Sequence, residues 1–97
     1  EAVRVAPYAT FGTPELAVAT AAALGGDNCI LMANHGLLAV GPELEAAYLA
    51  ALHVEEVARL CFQARCLGEP VCLNKEEMAA ARERFADYGR RREKTRA

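Results

Sequence analysis

Two short apolar runs, Cys29 to Ala33 and Leu37 to Val40, are separated by Asn34-His35-Gly36 and closed by Gly41-Pro42. No other stretch limits the fold as much. Short apolar runs bounded by turn residues read as buried strands rather than helices. Their link is so short that the strands either pair as a hairpin or form one strand interrupted at His35 by a kink or bulge. Turns favour Asn and Gly, but nothing in turn geometry calls for an imidazole. His35 is therefore a candidate for chemistry held at the mouth of a sheet.

The remaining elements follow from punctuation and periodicity. Ala2 to Ala6 is an extended run ending at Pro7, and Pro7 to Gly12 is a loop carrying Tyr8 and Phe11. Thr13-Pro14-Glu15-Leu16 starts a helix: Thr13 suits the N-cap, Pro14 the first helical position, and Glu15 the positive end of the dipole. Gly25-Gly26 stops that helix after Leu24. The longest element is a helix from Leu44 to about Leu67. Leu44, Ala47, Tyr48, Ala51, Val54, Ala58 and Cys61 recur at three-and-four spacing, and Leu49, Leu52, Val57 and Leu60 widen the stripe. So broad an apolar surface predicts burial on more than one side, against an absent part of the domain or another subunit. Gly68-Glu69-Pro70 ends the helix, and Val71-Cys72-Leu73 is an extended link. Asn74 and Glu77 form a capping box for a last helix whose apolar face carries Met78, Ala81 and Phe85 and which ends near Asp87-Tyr88-Gly89.

At 97 residues the chain makes at most one domain. Its opening residues, Glu1 to Val5, read like the middle of a strand, as in part of a longer protein. Eleven basic against 13 acidic residues give a net charge of −2, so no general basic field attracts nucleic acid. The basic stretch from Arg90 to Arg96 reads as a solvated tail. Four cysteines include no CxxC pair, which argues against a structural zinc knot, and Cys29 and Cys61 read as small core residues. No stretch resembles a secretory signal or a membrane span, and free thiols suit a reducing cytoplasm. The chain has no serine and no Gly-rich phosphate loop, so a nucleophilic hydrolase has little to build on.

Each candidate for chemistry has a plainer alternative. His35 is either an inert turn histidine or a metal ligand or general acid/base. One imidazole makes no metal site, since catalytic zinc needs about three protein ligands and an open position. His53, with Glu55 and Glu56, reads as the polar edge of the long helix. Tyr88 is either an anchor for the last helix or a phenol placed to give up a proton. Tyr8 and Phe11 sit in a loop, where aromatics often fold back onto the surface.

Three segments together carry a resemblance: Ala6-Pro7-Tyr8-Ala9-Thr10-Phe11-Gly12-Thr13, Ala33-Asn34-His35-Gly36-Leu37-Leu38-Ala39-Val40-Gly41, and Phe85-Ala86-Asp87-Tyr88-Gly89. In order and spacing the chain resembles the C-terminal half of the zinc-dependent class II aldolase and adducin family. The resemblance implies an α/β fold: a three-layer α/β/α domain with a mostly antiparallel central sheet flanked by helices. Residues 1–97 would be its C-terminal part, with the N-terminal half absent.

The resemblance also implies roles. His35 matches the third zinc-binding histidine, and Tyr88 matches a C-terminal tyrosine that reaches a neighbouring subunit's site and assists proton transfer. Phe11 matches an aromatic lining the aldehyde side of that site; Tyr8 lies beside it and supports the loop. Gly36 keeps the backbone tight beside the ligand, and Asn34 has no role. The family's first two zinc ligands form a His-x-His pair, and this sequence contains none. The carboxylate base and the phosphate loops are missing as well. The implied chemistry is reversible aldol cleavage of a ketose 1-phosphate, such as L-fuculose 1-phosphate, to dihydroxyacetone phosphate and an aldehyde. Zinc there stabilises the enediolate as a Lewis acid. The Tyr8-to-Thr13 stretch and Tyr88 favour the fuculose-type branch over a ribulose-phosphate 4-epimerase. A non-catalytic adducin-like scaffold is the alternative from another class. The implied assembly is a cytoplasmic homotetramer with its site at a subunit interface and no nucleic-acid or membrane partner. The 97-residue chain alone would be inactive.

Overall fold

A computed structural model describes the backbone of residues 2–96 and the side chains of residues 2–91. Its contacts cluster into two units, Glu1–Leu67 and Gly68–Ala97. The first holds strand β1 (Val5–Ala6), helix α1 (Pro14–Leu24), strands β2 (Cys29–Met32) and β3 (Gly36–Ala39), and helix α2 (Leu44–Leu67). The second holds helix α3 (Lys75–Arg96).

The sheet order is β1-β2-β3. The link between β2 and β3 is a hairpin, with Met32 opposite Gly36 and Ile30 opposite Leu38. By contrast, β1 runs parallel to β2, with Val5 opposite Leu31 and Ala6 opposite Met32. The sheet is thus mixed, not mostly antiparallel. The reason is the connection: a helix lies between β1 and β2, and a helical crossover returns the chain parallel to its start, whereas a tight turn reverses it.

Helix α1 begins as its sequence dictates. Thr13, in extended backbone, accepts from the Leu16 N–H at 3.3 Å, and Pro14 occupies the first turn. At the other end the Gly25 N–H donates to the Ala21 carbonyl at 3.2 Å. Arg4 braces the same end, its guanidinium donating to the Leu24 carbonyl (3.2 Å) and to Asp27 (2.7 Å). A cation is favoured there because the helix carboxyl end is partly negative.

Helix α1 lies against β1 and β2, and α2 against β3 and β2. Leu16, Ala17, Thr20, Ala21 and Leu24 line an apolar groove of about 390 Å³ together with Met32 and Leu38 of the sheet. Ile30 and Ala6 are fully buried, and Thr20 is 7 % exposed. The Thr20 hydroxyl has no hydrogen-bond partner among the described residues. Gly41 serves close approach: a β-carbon there would stand 2.9 Å from the Ala47 nitrogen and 3.1 Å from the Ala46 β-carbon. A larger residue would push the first turn of α2 off the end of β3.

Two expectations, the burial of Cys29 and Cys61 and the end of α3, are not met. Helix α2 contains no residue buried within this chain, in keeping with an apolar surface expected to be covered by an absent part of the domain or another subunit. Only an alanine-rich set, Ala46, Ala47, Ala50, Ala51, Val54 and Ala64, is half-buried. Cys61 is exposed for the same reason, and Cys29 is only half-buried. Finally, α3 does not stop at Gly89 but continues to Arg96. Gly89 lacks the positive φ of a helix-ending glycine, and an Asp87–Arg90 ion pair spans it. A mid-helix glycine costs only about 1 kcal/mol, which its helix-forming neighbours offset. Most of the tail is therefore helical backbone; the side chains of residues 92–96 lie outside the described ones.

Candidate functional site

Parallel pairing of β1 with β2 decides which loops meet. Both strands end at the same edge, where the Ala33 N–H donates to the Ala6 carbonyl at 3.2 Å. The loop leaving β1 carries Tyr8 and Phe11, and the turn leaving β2 carries Asn34 and His35. These two segments therefore share the carboxyl end of the parallel pair, the place where open α/β sheets bind ligands.

The turn is built by Asn34. The His35 N–H donates to the Met32 carbonyl at 3.0 Å, and Asn34 has φ 58°. A positive φ at the third turn residue is the type II arrangement, which selects Gly or Asn. Asn34 thus has a conformational task that the family resemblance did not imply. His35 follows it with an exposed imidazole that no described residue hydrogen-bonds. Gly36 then opens β3, opposite Met32.

The loop after β1 is closed by a hydroxyl. Thr13 donates to the Thr10 carbonyl at 2.6 Å while capping α1. Between them stand Phe11, 77 % exposed, and Gly12, with φ 73°. Tyr8 is likewise exposed. Sequence reasoning finds the cap but misses the second bond. The signal available for it is the Thr-x-Gly-Thr spacing, with glycine where a turn needs positive φ.

Tyr88 belongs to the second unit. It lies within α3, not at its end, and its side chain is exposed. His53 is exposed on α2, and Glu56, its possible co-ligand, accepts two bonds from Arg59 at 2.6 and 2.8 Å. That carboxylate holds the Arg59 guanidinium above its usual range. Cys29 opens β2 at the end opposite His35, and burial pushes its thiol up. A concavity of about 660 Å³ at that opposite end is lined by Ala2, Val3, Arg4, Asp27 and Cys29. Neither it nor the groove along α1 includes His35, Phe11 or Tyr88.

A zinc ion tests this donor set directly. About three protein ligands are needed, and the described residues contain no group of three His, Cys, Asp or Glu side chains able to hold a metal. The described residues alone do not complete a zinc site. Of their two imidazoles, that of His35 stands on the turn between β2 and β3. No described helix is long and apolar enough to cross a membrane.

Comparison with known proteins places these segments. The family model for the Class II Aldolase and Adducin N-terminal domain matches residues 1–62. The match includes both loops and ends within α2, before Tyr88. The chain is 40% identical over 87 residues to a 5-methylthioribulose-1-phosphate/5-deoxyribulose-1-phosphate aldolase of Rhodospirillum rubrum, covering 90% of this chain and 39% of that protein. It is 42% identical over 87 residues to L-fuculose phosphate aldolase of Escherichia coli strain K12, covering 89% of this chain and 40% of that protein. A solved L-fuculose 1-phosphate aldolase superposes with a TM-score of 0.81 at 46% identity, over 87% of this chain and 40% of that one. The chain spans about two fifths of the length of the relatives it matches.

Proposed function

The chain belongs to the class II aldolase and adducin family, and from that membership we propose that it forms part of an aldolase acting on a ketose 1-phosphate. The observation that supports this reading most is the shared end of β1 and β2. The loop with Phe11 and the turn with His35, far apart in sequence, leave the sheet side by side there.

In this reading His35 contributes one ligand to a zinc site whose other ligands lie outside this sequence. The similar proteins are named for L-fuculose phosphate and for 5-deoxyribulose 1-phosphate. Aldol cleavage of either substrate releases dihydroxyacetone phosphate, so the two differ only in the aldehyde. Both aldehydes are short and end in a methyl group. Phe11 suits that apolar end, because an exposed aromatic ring removes methyl surface from water. As the carbon–carbon bond breaks, the hydroxyl that becomes the aldehyde oxygen must lose its proton. Tyr88, from a neighbouring copy in a homo-oligomer, takes that proton and returns it in the condensation direction. L-Fuculose 1-phosphate is the substrate we favour.

The test uses the full-length protein that carries this chain. Metal content is measured by mass spectrometry, and dihydroxyacetone phosphate release from L-fuculose 1-phosphate is followed with a coupled dehydrogenase. His35→Ala is expected to lose bound zinc and to lower kcat/KM by at least about 100-fold. Tyr88→Phe is expected to keep the zinc and lower kcat by about 10² or more. Wild-type protein without zinc, or unchanged activity in His35→Ala, overturns the proposal. Absence of both zinc and cleavage would instead favour a non-catalytic scaffold.

A further inference from the structure

The turn that carries Phe11 is tied to the helix after it by a side chain. In a four-residue turn with positive φ at its third position, the fourth N–H commonly donates to the first carbonyl. Here the four residues are Thr10, Phe11, Gly12 and Thr13, with φ 73° at Gly12. Phe11 and Gly12 form the bend of this turn. The Thr13 hydroxyl makes a short bond across it, donating to the Thr10 carbonyl at 2.6 Å and accepting from the Leu16 N–H at 3.3 Å. One oxygen thereby links the turn to the first turn of α1.

The link matters because the apex is unpacked. Phe11 is 77 % exposed and Gly12 has nothing within 4 Å of where a β-carbon would stand. An exposed apex without packing keeps its geometry only through local bonds. Helix α1, in turn, is anchored on the sheet. The hydroxyl therefore transmits the position of a packed helix to an unpacked aromatic.

We propose that Thr13 is a positioning residue: by donating to the Thr10 carbonyl, its hydroxyl fixes where Phe11 stands, and so sets which aldehyde the site prefers. This rests on the aldolase reading above. The catalytic groups are untouched by it, and the effect falls on selectivity between aldehydes.

Three substitutions separate the tie from the cap. Thr13→Ser keeps both bonds. Thr13→Asp still accepts from the Leu16 N–H, since Asp is a strong N-cap, but its carboxylate has no proton to donate to the Thr10 carbonyl. Thr13→Val loses both. In the full-length protein, condensation of dihydroxyacetone phosphate is measured with acetaldehyde and with L-lactaldehyde, and the ratio of the two kcat/KM values is compared. Hydrogen exchange is followed in peptides covering residues 8–13 and 14–24.

Thr13→Ser is expected to match wild type in both measurements. Thr13→Asp and Thr13→Val are both expected to shift the aldehyde ratio by about fivefold or more, the scale of discrimination by one small group, and to speed exchange in residues 8–13. Exchange in residues 14–24 is expected to rise in Thr13→Val alone. If Thr13→Asp keeps the wild-type ratio and loop exchange, Thr13 only caps the helix and the proposal is overturned. A wild-type protein that condenses neither aldehyde overturns the aldolase reading, and the exchange pattern still decides whether the hydroxyl ties the loop.

Discussion

Asn34 carries a backbone angle that most residues resist. Left-handed backbone costs an ordinary L-residue about 1–2 kcal/mol, and Asn and Gly are the usual exceptions. With φ 58° inside a hairpin whose register fixes every neighbouring side chain, Asn34 has no cheaper conformation available. Asn34→Ala is therefore expected to lower stability by about 1 kcal/mol, a fall of roughly 4–8 °C in Tm for a domain this small. Asn34→Gly is expected to stay close to wild type. Thermal unfolding of the three proteins checks this, and equal Tm values for Ala and Gly would contradict the left-handed turn. His35 is legible in the sequence because an imidazole between turn formers stands out. What surrounds it is not legible, because metal ligands converge from distant parts of a chain and a single histidine carries no record of its partners. The Thr13–Thr10 bond is similarly hidden: Thr13 announces a helix cap, and the same residue type announces nothing about a second acceptor.

At the scale of elements, the helix starts are read most securely. Thr13-Pro14-Glu15 and Asn74 with Glu77 each satisfy orphan N–H groups with side chains close in sequence. In the structure Asn74 and Glu77 exchange two bonds of 2.8 Å. Helix ends and strand directions are less secure, because they depend on what the chain does next. Gly89 resembles a stop and is passed through, and the direction of β1 follows from the intervening helix rather than from its own residues. Thr20 shows the limit of an apolar stripe read at helical spacing. It lies within the buried face of α1, yet its hydroxyl is left without a partner among the described residues. An unpaired buried hydroxyl costs about 1–3 kcal/mol. Thr20→Val keeps the branched shape and removes the oxygen. It is expected to stabilise the chain by about 1 kcal/mol, raising Tm by roughly 4–8 °C. A fall in Tm would mean that the hydroxyl is bonded in the folded protein.

For the whole molecule, the decisive quantity is apolar surface left in water. Leu49, Leu52, Val57, Leu60 and Phe62 of α2 are all exposed, whereas the fully buried side chains of the described core are those of Ala6 and Ile30. Exposed apolar surface on this scale points to contact with further protein. The relatives match this chain with about two fifths of their length, so most of each relative has no counterpart here. In the longer aldolase proposed above, α2 lies under cover, and its apolar breadth is then what the sequence predicts. Leu49→Glu with Leu60→Glu tests this by sign. Burying one leucine contributes about 1.5–3 kcal/mol, so the pair is expected to destabilise the full-length protein by several kcal/mol and lower its Tm sharply. In the 97-residue chain expressed alone the same leucines face water. There the substitutions are expected to leave Tm nearly unchanged and to reduce self-association in sedimentation velocity. Similar small effects in both proteins would make this face of α2 a solvent face, and its long apolar stripe would then need another explanation.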